Sequence, residues 1–393
     1  MAYTIEAKNR RGTHSVKWDL AQSPDVLALW VADMDFPCPP EVVEAVKSRA
    51  DHGIFGYTFT PESYFEVFRQ WAWDTQQWKI KREHQLYALG MMPAIRELIL
   101  SLTNPGDGVI VQPPVYNPFY TVIEHQGRKV LENPLLFDPS QTVSYTIDFD
   151  QLEQIASKLE AKVLLLCSPH NPVGRIWKSH ELSRVVEICE RHNVVVIADE
   201  IHGDLTHPGN QFVPLGTLES DWIISIQSPG KSFNIPSINS AQVVIPNSEL
   251  RKKAQQGFDV AGFEIVNSLS LAAAEAAYTH GKPWLNEIRQ KIGANVELFD
   301  ALLTHSNLPL KRVPSEATYL AWVSSGPMEK SLRMNTKELQ RRLLKDVGVW
   351  VIAGSQYGAD SGEGFLRFNL GTSQEIIREA VTRIRHWWEE NER

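Results

Sequence analysis

Cysteine is scarce in this 393-residue chain: only Cys38, Cys167 and Cys189 occur, odd in number and far apart. That excludes a disulfide framework and a cysteine-rich metal site, and leaves reduced, buried thiols as the expectation. No run of eighteen consecutive apolar residues is present, so no membrane-spanning helix is expected. The opening MAYTIEAKNRRGTH lacks the apolar core of a signal peptide, which points to the cytoplasm. Neither sign of charge dominates. With 47 acidic and 39 basic residues, a net charge of -8 and no long charged run, electrostatics gives no case for nucleic-acid or membrane binding, and small molecules are the expected partners. Internal repeats, low-complexity tracts, His-Glu-x-x-His and Cys-x-x-Cys are also missing, so no metal is expected.

What remains is an α/β pattern. Short β-rich runs, VIVQ (109–112), KVLLLCS (162–168), VVVIAD (194–199), WIISIQ (222–227) and AQVVIP (241–246), alternate with segments of helical period such as HELSRVVEICERHN (180–193). Continuous apolar strands separated by helices imply a largely parallel sheet covered on both faces. After residue 246 the chain turns helical, with a long amphipathic stretch from Trp284 to about His305. Strand-like runs return in ATYLAWV (317–323) and GFLRFNLG (364–371), before a closing helix from about Ser373. Two domains are expected: a large one over 50–285, and a smaller α+β one formed by 1–49 with 286–393. The Trp-rich WAWDTQQW (71–78) reads as packing on an amphipathic helix.

Unusual residues cluster where strands end, which is where open α/β sheets bind ligands. In YALGMMPAIRELILSLT, backbone amides of Gly90, Met91 and Met92 stand at a helix start that suits a phosphate, or else form an ordinary glycine turn. In VIVQPPVYNPFY, Tyr116 is a ring that could stack on a ligand or simply pack. In LLLCSPHNPVGR, two prolines stiffen the turn that carries Asn171. In VVVIADEIHGDL, Asp199 ends an apolar strand and calls for a cationic partner or a cap to fill, with His202 three residues on. WIISIQSPGKSFNIPS delivers Lys231 into a turn. A P-loop reading fails there, because Ser225 replaces the first glycine while Asn234 and Pro236 obstruct the helix that must follow. Ser228 can offer a hydroxyl to phosphate, and a desolvated Lys231 an uncharged amine to a carbonyl carbon. A phosphate-binding helix start, a stacking ring, an amide, a buried acid and a reactive amine are together what pyridoxal 5′-phosphate requires.

At these residues the sequence resembles fold-type I pyridoxal-phosphate enzymes, the aspartate aminotransferase superfamily. SPHNPVGR, ADEIH and SPGKSFN occur in that order, with Asn171 and Asp199 28 residues apart and Asp199 and Lys231 32 apart. KWDLAQSPDVLALWVADMDFPCPPEVVEAV (17–46), FGYT (55–58), GMMPAI (90–95), PPVYNPF (113–119) and LRFNLG (366–371) are closer to the MalY/PatB group of cystathionine β-lyases, or C-S lyases. That resemblance covers essentially the whole chain. It implies that Lys231 carries the cofactor, with Asp199 at the pyridine nitrogen, Asn171 at the phenolate oxygen, Tyr116 over the ring, and Ser228 with the Gly90–Met92 turn at the phosphate. Arg367 would clamp the substrate α-carboxylate beside Asn171, and Tyr57 would reach the partner's cofactor phosphate across a homodimer interface. His202 stands where many aminotransferases of the superfamily have tyrosine, and it agrees with the lyase group. The implied reaction is β-elimination from L-cystathionine or a related cysteine S-conjugate, giving a thiol, pyruvate and ammonia. The alternative is transamination between an amino acid and a keto acid.

Overall fold

The computed structural model describes Tyr3, residues 5–21 and residues 23–392. Its centre is a seven-stranded sheet: β1 (Gln85–Ala88), β2 (Gly108–Val111), β3 (Lys129–Glu132), β4 (Ala161–Cys167), β5 (Val195–Asp199), β6 (Ile223–Gln227) and β7 (Ala241–Val244), in the spatial order β1-β7-β6-β5-β4-β2-β3. Only β7 runs against its neighbours. An apolar run reveals burial on both faces, not strand direction, and this is why AQVVIP reads like the parallel strands beside it.

Alternation along β4 and β5 explains their unbroken hydrophobicity. Leu164, Leu166, Val196 and Ala198 join a core with Leu182, Val185 and Cys189 of the helix Ser179–Arg191. Val163, Leu165, Val195 and Ile197 face the opposite way, into a core with Ala94, Ile95, Leu98 and Ile99 of the helix Met91–Leu102. Successive side chains point to opposite faces, so a strand covered on both sides must be apolar throughout. Polar residues are then confined to its ends. Each fully buried Val, Leu or Ile in these strands contributes about 1.5–3 kcal/mol of hydrophobic stabilisation.

A second, antiparallel sheet has the order β8-β9-β11-β10, from Lys311–Arg312, Leu320–Ser324, Phe365–Asn369 and Ile352–Ala353. It packs with the long helix Lys282–His305 and the closing helix Gln374–Asn391, whose first turn is capped by Ser373. The N-terminal segment threads into this region: Leu27–Ala28 pairs with Val349–Trp350, the Leu29 carbonyl accepts from Asn369 N–H, and Asp35 N–H donates to the Gly371 carbonyl. Trp30 stacks on Trp350 with centroids 4.1 Å apart. In the Trp-rich helix Glu62–Gln76, Trp71 is buried among Phe68, Phe233 and Tyr278, while Trp73 is exposed.

Candidate active site

The chain order of the central sheet reverses between β2 and β4, and in open α/β sheets the loops that diverge at such a point, beyond the carboxyl ends of the strands, form the ligand crevice. Asp199 is the last residue of β5, registered against Cys167 of β4 and Ile226 of β6. Its buried carboxylate accepts one hydrogen bond, from Ile201 N–H at 3.1 Å. Burial pushes its pKa up to about 6, against the opposing pull of the Lys231 charge. Lys231 follows β6 within a single helical turn, Pro229–Ser232, which Ser228 caps by accepting from Gly230 N–H at 3.2 Å. Burial pushes the Lys231 amine down to about 8. Asp33 and Asp199 act to raise it, and Arg367 to lower it. The acid and the amine, at the ends of neighbouring strands, thus feel each other's charge.

Arg367 enters from β11 of the second sheet and is only 3% exposed. One terminal nitrogen donates to Asn171 Oδ1 at 3.3 Å and the other to the Trp30 carbonyl at 2.6 Å; the guanidinium lies over Tyr357, 5.1 Å from the ring centroid. Its Nε is buried without a hydrogen-bond partner, as are His202 Nδ1 and Ser168 Oγ. Burial, with Lys231 and Arg367 nearby, drives His202 down to about 3, so its ring is neutral at physiological pH. Tyr116 packs edge-on against Phe119 and senses the charges of both Asp199 and Arg367. Gly90 caps the Met91–Leu102 helix at φ 126°, a backbone conformation that favours glycine, and lies beside Asn239. Met91 is buried and Met92 half-buried in the first turn. The Ser228 hydroxyl donates to the Ser240 carbonyl at 2.8 Å. Tyr57 stands apart: at 98% exposure it lies on an open segment with Ile54, Phe55 and Phe59, and one chain does not bring it to the crevice.

Sequence reasoning passed over the crevice's other wall, the stretch Trp30–Phe36. The Ala32 carbonyl accepts from Lys231 Nζ and, at 2.8 Å, from the Tyr319 hydroxyl. Asn234 pins this stretch through three bonds: its amide donates to the Met34 and Phe36 carbonyls at 2.9 and 2.7 Å and accepts from Met34 N–H at 2.9 Å. Asp33 pairs with Arg10, and Asp35 with the fully buried Lys17, at 2.7 and 2.9 Å. The signal was present in LALWVADMDF, where two acids interrupt an apolar run and must meet cations if the run is buried.

Residues 24–384 match the model of the family described as aminotransferase class I and II. The chain belongs to that family. Among proteins similar to this family member, cystathionine beta-lyase PatB of Bacillus subtilis is 37% identical, covering 96% of this chain and 97% of the relative. Protein MalY of Escherichia coli is 32% identical with 95% of each covered. The solved structure of cystalysin from Treponema denticola, which contains a pyridoxal 5′-phosphate cofactor, superposes with a TM-score of 0.93 at 31% identity, covering 99% of each chain. The fold is therefore the fold-type I architecture expected from the sequence. Among the described residues no helix is long and apolar enough to cross a membrane.

Proposed function

We propose that this chain is a pyridoxal-phosphate-dependent carbon–sulfur β-lyase that cleaves L-cystathionine or a related cysteine S-conjugate. The observation that carries the proposal is that Asp199 and Lys231 stand at the carboxyl ends of the adjacent strands β5 and β6, near enough for each to shift the other's proton affinity, with Arg367 brought to them from the second sheet. The residues fit the cofactor. Three buried polar atoms, Arg367 Nε, His202 Nδ1 and Ser168 Oγ, lack partners, and Asp199 holds a single neutral donor, an arrangement that is costly unless a ligand completes it. When bound, pyridoxal phosphate supplies an electron sink for the negative charge that develops at the substrate Cα.

The chain's own residues do the rest. The Gly90–Met92 helix start would offer backbone N–H groups to the phosphate, and Ser228 its hydroxyl, which exchanges its bond to the Ser240 carbonyl for one to the phosphate. Asp199, as the anion, would accept a hydrogen bond from the protonated pyridine nitrogen and keep it protonated, Asn171 would donate to the phenolate oxygen, and Tyr116 would cover the ring and exclude water. Arg367 binds the substrate carboxylate with its planar fork, fixing which bond at Cα lies ready to break. Lys231, uncharged, removes the Cα proton at Nζ, and the Cβ–S bond breaks with departure of the thiolate. One water is consumed overall, and the products are a thiol, pyruvate and ammonia.

The same proposal includes a large domain over 50–285, a small one from 1–49 and 286–393, and a cytoplasmic homodimer. The exposed apolar stretch around Tyr57 supports the dimer, because a second copy would cover it and receive Tyr57 at its cofactor phosphate. The deciding experiment incubates purified protein with L-cystathionine and no keto acid. Thiol and pyruvate should appear together, and Lys231→Ala should abolish both along with the cofactor's visible absorbance. Turnover that requires an added keto acid would make the protein an aminotransferase instead.

A further inference from the structure

Behind Lys231 and Asp199 runs a continuous path of hydrogen-bonded side chains. Ser232, the neighbour of Lys231, donates from Oγ to Asp204 Oδ2 at 2.9 Å. Asp204 Oδ1 accepts from Gln76 Nε2 at 3.1 Å and from Trp71 Nε1 at 3.2 Å. Gln76 and Gln227 exchange amide bonds at 3.1 and 3.0 Å. Gln227 then donates at 3.0 Å to Glu200, the neighbour of Asp199, and the other Glu200 oxygen accepts from Leu215 N–H at 2.6 Å. Gln76, Gln227, Glu200 and Ser232 are all buried.

Stability alone gives little reason for this arrangement. The path sets two desolvated carboxyl groups among neutral donors, where well-packed apolar side chains would serve the fold as well or better. Its geometry, however, closes a circuit between the two reactive residues. Lys231 sits on a single helical turn of four residues, too short to hold itself, whereas Asp199 ends a strand bonded on both sides. We propose that Gln76 and Asp204 are positioning residues: through Ser232 on one side and Gln227 and Glu200 on the other, they fix the Lys231 turn against the end of β5. One ring can then meet both side chains. The inference rests on the lyase reading for the roles of Lys231 and Asp199. It also gives the end of the Trp-rich helix a function beyond packing.

The test compares holoenzymes carrying Gln76→Met, which removes both amide bridges at similar volume, Ser232→Ala, and Ser232→Thr, which retains the hydroxyl. Gln76→Met and Ser232→Ala should each lower kcat roughly tenfold, the scale on which misplacement of a reacting group acts. KM should stay within about twofold, because the Arg367 clamp is untouched, a split that measures loss of transition-state rather than ground-state contacts. The pH midpoint of the bound cofactor's visible spectrum should shift in both, and Ser232→Thr should restore it. Because both substitutions cut one path, the double variant should be hardly worse than the poorer single one. Wild-type kcat and an unmoved spectral midpoint in the folded single variants would overturn the proposal. So would losses that multiply in the double variant, or that vanish once activity is corrected for the folded fraction measured by circular dichroism. A wild-type chain with no visible cofactor band overturns the lyase reading and this inference together, whereas a wild-type lyase with indifferent variants overturns this inference alone.

Discussion

The proton on Lys231 gives the sharpest test of the site. Burial lowers this amine to about 8, with Arg367 acting in the same direction and Asp33 and Asp199 opposing. An amine titrating there is neutral in about one molecule in ten at pH 7, against about one in a few thousand for an ordinary lysine, a gain of roughly a few hundredfold in the form that can attack a carbonyl carbon. Stripped of cofactor and mixed with pyridoxal phosphate, the protein should therefore develop its visible band at a rate that climbs about tenfold per pH unit toward neutrality, bends near 8 and levels off above it. Below about 6 the climb should steepen, because Asp199 then gains its proton and no longer meets the pyridine nitrogen as an anion. Asp33→Asn removes a carboxylate that holds the proton on Lys231 and frees the Arg10 charge paired with it, so the bend should move below 8. A bend at the position of an ordinary lysine, or an upward shift in Asp33→Asn, would refute the electrostatic reading of the crevice.

Three further outcomes are expected. Arg367→Met should reduce kcat/KM for cystathionine by roughly two to four orders of magnitude, since breaking a desolvated charge pair costs about 3–5 kcal/mol, while the cofactor band persists; a loss of less than about fivefold would remove Arg367 from substrate binding. Asp199→Asn should stabilise the cofactor-free protein at pH 7 by about 1–3 kcal/mol. A folded pKa raised to about 6 means that the native state binds the proton more tightly, so wild-type stability falls as pH rises from about 4 through 6, and the advantage of Asn should disappear in melts at pH 4. Asn234→Gly keeps the left-handed backbone at φ 55° and deletes the three bonds to Met34 and Phe36, so urea unfolding should show a loss of about 2–4 kcal/mol, with Asn234→Ala losing more because Ala also strains the backbone.

Much of this site was legible before any coordinates. A charged or strongly polar residue is costly inside an apolar strand, so Asp199, Asn171 and Lys231 stood out by ending or following such strands, and the ligand crevice of an open sheet lies beyond those ends. The wall formed by Trp30–Phe36 was not legible in the same way. Its contacts join residues some 200 to 340 positions apart, such as Met34 with Asn234 and Trp30 with Arg367, and no local periodicity encodes a pairing at that range. The antiparallel run of β7 escaped for a related reason: direction depends on the connection between strands, not on side chains.

The sequence by itself determined the class of chemistry, because an amine, an acid, an amide and a phosphate-binding turn must each be supplied by particular residue types in loops after strands, and each is readable locally. Only the tertiary structure decided how those groups act. The amine falls to about 8 and the acid rises to about 6 because packing strips water from both, leaving the amine among the charges of Asp33, Arg367 and Asp199 and the acid beside the amine. The hydrogen-bonded path through Gln76 likewise exists only once a distant helix has docked beneath the two strand ends it links. Desolvation and long-range hydrogen bonding are properties of neighbours in space, and a linear string does not carry them.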